Sequence, residues 1–174
     1  MIGIALPEIY ASNLDSAELR KAFSAYPSGV TSVCGLGADG PIGMAASSFT
    51  SVSLDPPLVS VCMALTSKTW PALKALPRLG VSVLAAGQGD VARRLAGKDS
   101  DRFAGVSWEA SASGAVFVSG SALWLECGLD AAYPAGDHQI ALFHVYSVTA
   151  WPDVHPLVFH GSKFRQLEPT QSIG

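Results

Sequence analysis

Apolar and polar positions alternate with the two-residue period of a strand along much of this chain, and helical spacing appears in three short stretches. Val30-Thr31-Ser32-Val33-Cys34 is β-rich, Asp39-Gly40 is a turn dipeptide, and residues 42–46 read as the return strand of a hairpin. Pro56-Pro57 donates no ladder hydrogen bond and marks a strand edge. Residues 58–65 behind it are almost wholly apolar and predict a buried strand. Residues 80–85 predict another. Residues 123–133 alternate as a half-buried strand does, and Pro134-Ala135-Gly136-Asp137 predicts a turn. His138 then opens a long strand ending near Trp151, and residues 157–160 make a short last strand. Asp15 and Glu18 are spaced as a capping pair, and Leu19, Ala22 and Phe23 share one face of a helix over residues 16–25. Pro27-Ser28-Gly29 stops it. Ser67 or Thr69 can cap a short helix carrying Trp70, Leu73 and Leu76, with Pro71 in its first turn. Residues 90–96 predict a third helix that Gly97 can close. Residues 98–121, rich in Gly and Ser, read as irregular.

Strands therefore dominate, with helices inserted between them. No βαβ rhythm repeats and no GxGxxG follows a strand, which excludes a Rossmann domain. The expected architecture is mainly β (α+β): an antiparallel Greek-key barrel with a few peripheral helices. One domain over residues 14–166 is expected, with an N-terminal arm at 1–13 and a C-terminal tail at 167–174.

Composition narrows the function classes. Apolar residues make up 49% of the 174, near the globular average, while charged residues make up only 14%, against about 25% in typical domains. With a positive mean hydropathy, this predicts apolar surface covered by a second copy, a homo-oligomer; an unusually Ala-rich monomer is the alternative. Net charge is −3 and no basic run occurs, so electrostatic binding to nucleic acid or to an anionic membrane is not expected. No basic n-region precedes a long apolar stretch, and the longest apolar runs are strand-sized, so neither a signal peptide nor a membrane helix is expected. Cys34, Cys62 and Cys127 are odd in number and widely spaced, which argues against a disulfide framework and a zinc site and for a reduced, cytoplasmic protein.

Seven pieces, in this order, carry a resemblance. They are Pro27-Ser28-Gly29-Val30-Thr31, the hydroxyl-rich run of residues 43–58, Ser67-Lys68-Thr69-Trp70, Arg94-Leu95-Ala96-Gly97-Lys98, Asp101-Arg102-Phe103-Ala104-Gly105, Gly136-Asp137-His138, and Pro156-Leu157-Val158-Phe159-His160. From about residue 19 to residue 164 the chain resembles the flavin reductase-like family. The resemblance implies an FMN-binding split β-barrel and a homodimer with the flavin near the subunit interface. It also implies hydride transfer from NADH or NADPH to FMN or FAD, with the reduced flavin passing to a partner flavin-dependent monooxygenase.

It further implies a set of site residues. Pro41, Ile42, Gly43, Met44 and Ala45, then Ser47 and Ser48, would lie along the flavin; a serine-rich hairpin end without ligand is the bland alternative. The family often carries Thr-Ala-Asn-Ser where this chain has Ala45-Ala46-Ser47-Ser48. Cys62, Met63 and Ala64 would touch the flavin through backbone, or be plain core. Lys68 and Thr69 stand at a helix start, where free amides and a cation suit a flavin phosphate; a solvated cap is the alternative. Arg94 matches a basic position reaching the phosphate or the nucleotide tail, unless it is a helix-surface arginine. His138 would be the catalytic residue, orienting the nicotinamide, unless it merely sits at a hairpin corner. Phe159, His160, Gly161 and Ser162 match a last-strand stretch that contacts the nicotinamide cofactor, or serve as barrel packing; Gly161-Ser162 stands where family members often show Arg-Gly. His144 and His155 show no partner pattern. Two rival functions remain: a flavin-binding electron carrier or sensor without nicotinamide turnover, and an oxidase of the pyridoxamine-phosphate type, for which the chain supplies few of the cations needed.

Overall fold

The computed structural model describes residues 15–97 and 101–167; the expected arm at 1–13, Lys98 and residues 168–174 of the expected tail lie outside them. Helix α1 (Ser16–Phe23) is followed by strands β1 (Ser28–Gly29), β2 (Thr31–Gly37), β3 (Gly40–Ala46), β4 (Thr50–Leu54) and β5 (Pro57–Ala64). Helix α2 (Trp70–Lys74), strand β6 (Leu79–Val83) and helix α3 (Gly89–Ala96) come next. Strands β7 (Trp108–Ala110), β8 (Val116–Val118), β9 (Leu123–Ala135), β10 (His138–Ala150), β11 (Val158–His160) and β12 (Lys163–Arg165) complete the order. The architecture is mainly β and antiparallel, as the alternation predicts.

One seven-stranded sheet, in the order β3-β2-β6-β9-β10-β5-β4, makes the body. Its edges are β3 and β4, yet residues 47–49 alone join them. Four Cα steps span at most roughly 15 Å, whereas seven strands laid flat at about 4.8 Å spacing would hold their edges about 29 Å apart. The sheet must therefore curl until its two edges meet at that end. Ser48 pins the seam: its Oγ accepts from the Cys62 backbone N–H of β5 at 2.9 Å.

Side-chain alternation sends successive residues to opposite faces of the curled sheet. Val33, Val61, Met63, Val81, Ala141 and Phe143 join Trp70 and Leu73 of α2 in one core cluster. Cys34, next to Val33 on β2, belongs to a second cluster with Ala92 and Leu95 of α3, Val116 and Val118 of β8, and Leu157.

Four details differ from the sequence expectation. Strand β4 lies at a sheet edge with Val52 and Leu54 exposed, so the alternation of Ser51-Val52-Ser53-Leu54 marks no buried face. Strands β7 and β8 lie inside the stretch read as irregular; β8 approaches β6 so closely that a Cβ on Gly80 would run into the Val116 carbonyl oxygen. Pro134 and Ala135 still belong to β9, and the turn is Gly136-Asp137 alone, with Gly136 at φ +64°. Gly161 and Ser162, both at positive φ (58° and 59°), form the two-residue turn that brings β12 back against β11. Gly97 closes α3 as expected, in an extended conformation, with its N–H donating to the Arg94 carbonyl. The N-terminus of α1 follows expectation, since Asp15 Oδ1 accepts from the N–H groups of Ala17 and Glu18, both at 2.8 Å.

Candidate functional site

A first cleft of about 500 Å³ opens between β3, the turn after β5 and the end of α3. Met44, Ala45, Thr66, Ser67, Lys68, Leu95, Ala96, Gly97 and Arg102 line it. Its β3 wall is made by Met44 and Ala45. At Gly43 the absence of a side chain is required: a Cβ there would run into the Cys34 sulfur and the Phe103 ring. Burial pushes the Cys34 thiol up to about 12, so it stays protonated and serves as packing.

The opposite wall is tied by side chains. Ser67 Oγ accepts from the Trp70 N–H at 3.1 Å and reaches the Met44 sulfur at 3.9 Å. Of the two caps the sequence allows, Ser67 is the one used, and Thr69 makes no capping bond. The Thr69 hydroxyl instead accepts from Arg102 Nη1 at 2.8 Å, and the same nitrogen donates to the Gly43 carbonyl at 3.2 Å. Arg102 is the cleft residue that the sequence reading left unassigned. Its signal lay in the Asp101-Arg102-Phe103 piece, but 59 positions separate it from Gly43. Among the described residues, no carboxylate lines the cleft. A space of this size, with Lys68 and Arg102 as the charged members of its described lining, falls in the range of ligand sites, about 300–1,000 Å³. These residues fit a flat ring carrying an anionic tail.

A second cleft of about 540 Å³ lies between α1 and the seam, lined by Arg20, Phe23, Ser24, Tyr26, Ser28, Ser47, Ser48, Phe159 and Ser162. Phe159 pairs with Ser28 across the β1–β11 ladder and meets Phe164 edge-on at 5.7 Å. The Gly161 N–H donates to the Ser24 carbonyl at 2.7 Å and fixes the β11–β12 turn to α1. Phe23 and Tyr26 expose 70% and 78% of their surface at its rim, which leaves two large rings without cover in this chain.

The expected site residues thus divide. Met44, Ala45 and Lys68 meet in the first cleft, with Gly43 and Thr69 behind its walls. Ser47, Ser48, Phe159 and Ser162 meet in the second. Pro41 and Ile42 line a third hollow with Ala72, Leu76 and Phe103. Met63 is fully buried in the core, whereas Cys62 and Ala64 are half-buried on the other face of β5. Arg94 is exposed and lines none of the three spaces, although Leu95 and Ala96 beside it line the first. His160 and Gly161 are exposed and also stand outside them.

His138 opens β10 opposite Ala64 of β5 and lines none of the three spaces. Its Nδ1 lies 2.7 Å from Asp137 Oδ1, and its side chain is 42% exposed. That hydrogen bond, and then the imidazole's charge, hold the Asp137 carboxyl below its ordinary value. The Arg20 guanidinium adds a smaller effect in the same direction, so the corner stands within electrostatic reach of the second cleft. Among the described residues no group of three or more His, Cys, Asp or Glu side chains is placed to hold a metal ion, and no helix is long and apolar enough to cross a membrane.

Known proteins share this arrangement. The model of the Flavin reductase like domain matches residues 23–168. The NADH-dependent FAD reductase of Streptomyces globisporus is 40% identical over 98% of this chain and 96% of its own length. The reductase subunit HsaB of a flavin-dependent monooxygenase from Rhodococcus jostii is 31% identical over 95% of this chain and 85% of its own length. The solved structure of the Streptomyces globisporus C-1027 NADH:FAD oxidoreductase SgcE6, in complex with NAD and FAD fragments, superimposes with a TM-score of 0.84 at 42% identity, covering 89% of this chain and 94% of that one. With a family match across most of its length and the corresponding fold around the first cleft, this chain belongs to the flavin reductase-like family.

Proposed function

We propose that this chain is an NAD(P)H:flavin oxidoreductase that reduces FMN or FAD and supplies the reduced flavin to a partner monooxygenase. The observation that carries this reading is the first cleft, which Lys68 and Arg102 line with no carboxylate among the described residues, in a chain whose relatives are named as an NADH-dependent FAD reductase and a monooxygenase reductase subunit.

The residues divide the work. Met44 and Ala45, next to the side-chain-free Gly43, offer a face to an isoalloxazine ring. Lys68 receives the anionic tail. Ser47 and Ser48 stand where β3 leaves the first cleft for the second, and Ser48 holds that crossing rigid through Cys62. The bound flavin supplies an acceptor for the hydride of NADH or NADPH, and that transfer needs two rings face to face more than it needs an acid or base. His138 positions the nicotinamide: Asp137 engages Nδ1 and leaves Nε2 for the carboxamide. Phe159 and Ser162 line the second cleft, which is read as the space open to the nicotinamide cofactor.

The curled seven-stranded sheet, open at the β3–β4 seam, is read as the split barrel. A homodimer is supported by the apolar side chains left on the sheet's outer surface: Val52 and Leu54 on β4, and Ile140, Tyr146 and Val148 on β10, are 39–94% exposed. Three unpaired thiols, two of them buried, suit the reducing cytoplasm. The test is a matrix of initial rates with NADH and NADPH against FMN, FAD and riboflavin, read at the nicotinamide absorbance band. Flavin-dependent decay is expected in at least the NADH rows; no decay in any cell overturns the assignment.

A further inference from the structure

Arg102 carries a charge that its own contacts do not answer. It is half-buried in the wall of the first cleft, and both of its hydrogen bonds leave from one nitrogen, Nη1. The acceptors are the Thr69 hydroxyl and the Gly43 carbonyl, both neutral. A guanidinium presents five N–H donors in a fixed planar fork, so these two bonds orient the group without balancing its charge. Among the described residues, no carboxylate lies within salt-bridge distance of Arg102 or of Lys68, which lines the same cleft. The chain as a whole is acidic, with a net charge of −3. Two cations facing one hollow, with no acid among its described lining residues, therefore run against the general trend of the molecule. The complement of such a hollow is a ligand that brings two negative charges with it.

We propose that Arg102, acting with Lys68, is a specificity-determining residue that makes the cleft select flavins bearing a phosphate over neutral riboflavin. This inference rests on reading the first cleft as the flavin site. Thr69 and Gly43 hold the guanidinium in place before the ligand arrives, so little side-chain freedom is lost when a phosphate binds. The tie spans β3 and the start of α2, which makes the geometry of the anion contact a property of the fold rather than of one loop.

The test is a flavin-fluorescence titration with nicotinamide omitted, using FMN and riboflavin as probes and comparing the wild-type protein with Arg102→Gln and Arg102→Lys. The wild type is expected to bind FMN about tenfold or more tightly than riboflavin. Arg102→Gln is expected to raise the FMN dissociation constant by about tenfold while moving that of riboflavin by less than about twofold. Arg102→Lys, which keeps a charge, restores most of the preference. An equal weakening of both flavins in Arg102→Gln, or an unchanged FMN constant, overturns the inference and leaves the flavin site standing. Should Arg102→Gln fail to fold, the salt dependence of the wild type decides: FMN affinity falls with ionic strength and riboflavin affinity does not. A preference indifferent to salt overturns the inference. A wild-type protein that binds neither flavin removes the flavin site itself.

Discussion

The first cleft and the His138 corner are built in opposite ways. The cleft is closed by bonds between distant parts of the chain: Arg102 reaches back 59 positions to Gly43 and 33 to Thr69, and Ser67 reaches Met44. The corner rests on neighbours in sequence, His138, 42% exposed, and Asp137, almost wholly in solvent. The second cleft, whose Arg20 acts electrostatically on Asp137, carries the exposed rings of Phe23 and Tyr26 at its rim. A site made by long-range bonds exists before its ligand arrives. A corner made by local contacts acquires, in the proposed function, its final shape from what docks there, the nicotinamide and a second copy of the chain. In the proposed function, affinity for flavin therefore belongs to the cleft and the rate of turnover to the corner.

Glycine substitutions should separate the two regions most sharply. Gly43→Val places carbon where Cys34 and Phe103 already stand; it should cost about 3 kcal/mol in a urea melt and abolish flavin binding. Gly136→Ala meets no atom within 4 Å and suffers only its φ of +64°, so a loss of about 1 kcal/mol is expected with flavin binding retained. Equal losses at both sites would mean that the cleft is no more tightly built than the corner.

Exchanging function for function comes next. Lys68→Ala should raise the flavin dissociation constant about tenfold, or about 1.4 kcal/mol, with kcat unchanged. His138→Ala should do the reverse, lowering kcat/KM for the nicotinamide roughly tenfold while flavin affinity survives. Loss of flavin binding in His138→Ala would move that residue out of the nicotinamide role.

Smaller effects test the frame. Ser48→Ala removes the acceptor of the Cys62 N–H at the seam and should cost about 1 kcal/mol by denaturant titration; an unchanged midpoint would mean that water replaces the hydroxyl. The smallest effect is the Asp137 carboxylate. Its folded pKa lies below its unfolded one, chiefly through the His138 hydrogen bond. Its contribution to stability is therefore present above the unfolded value and lost as pH falls through the folded one. Asp137→Asn should differ from the wild type by a small, salt-sensitive amount at neutral pH, and the two stability curves should converge in acid. Curves that stay parallel into acid would remove the carboxylate's role.

What the sequence discloses depends on how local each signal is. Strand β5 is legible because Val59, Val61 and Met63 fill one face and the residues between them are small or apolar. The start of α1 is legible because Asp15 caps it from the adjacent position. Strand β4 is hidden, because Thr50, Ser51 and Ser53 at a sheet edge have no buried face to declare. Strands β7 and β8 are three residues each, too short to set a period, although Val116 and Val118 are core. Strand β12 is hidden for a different reason: Gly161-Ser162 reads as a ligand contact, and the fold uses it as a hairpin turn. The site follows the same rule. Residues 41–48 read as a single ligand wall, but the bend at the seam gives Met44 and Ala45 to one cleft and Ser47 and Ser48 to another. Arg102 enters the site only through the three-dimensional path of the chain, which no spacing along it records.

The central claim is that the first cleft holds a flavin to which a nicotinamide delivers hydride. The most direct measurement is an anaerobic mixing experiment with the protein, FAD or FMN, and NADH or NADPH, following the nicotinamide and flavin absorbance bands together. The account predicts that both bands fall in step, one flavin reduced for each nicotinamide oxidised, and that Lys68→Ala shifts the flavin concentration required. A flavin band that stays oxidised with every pairing, while the folded protein binds flavin, would contradict it.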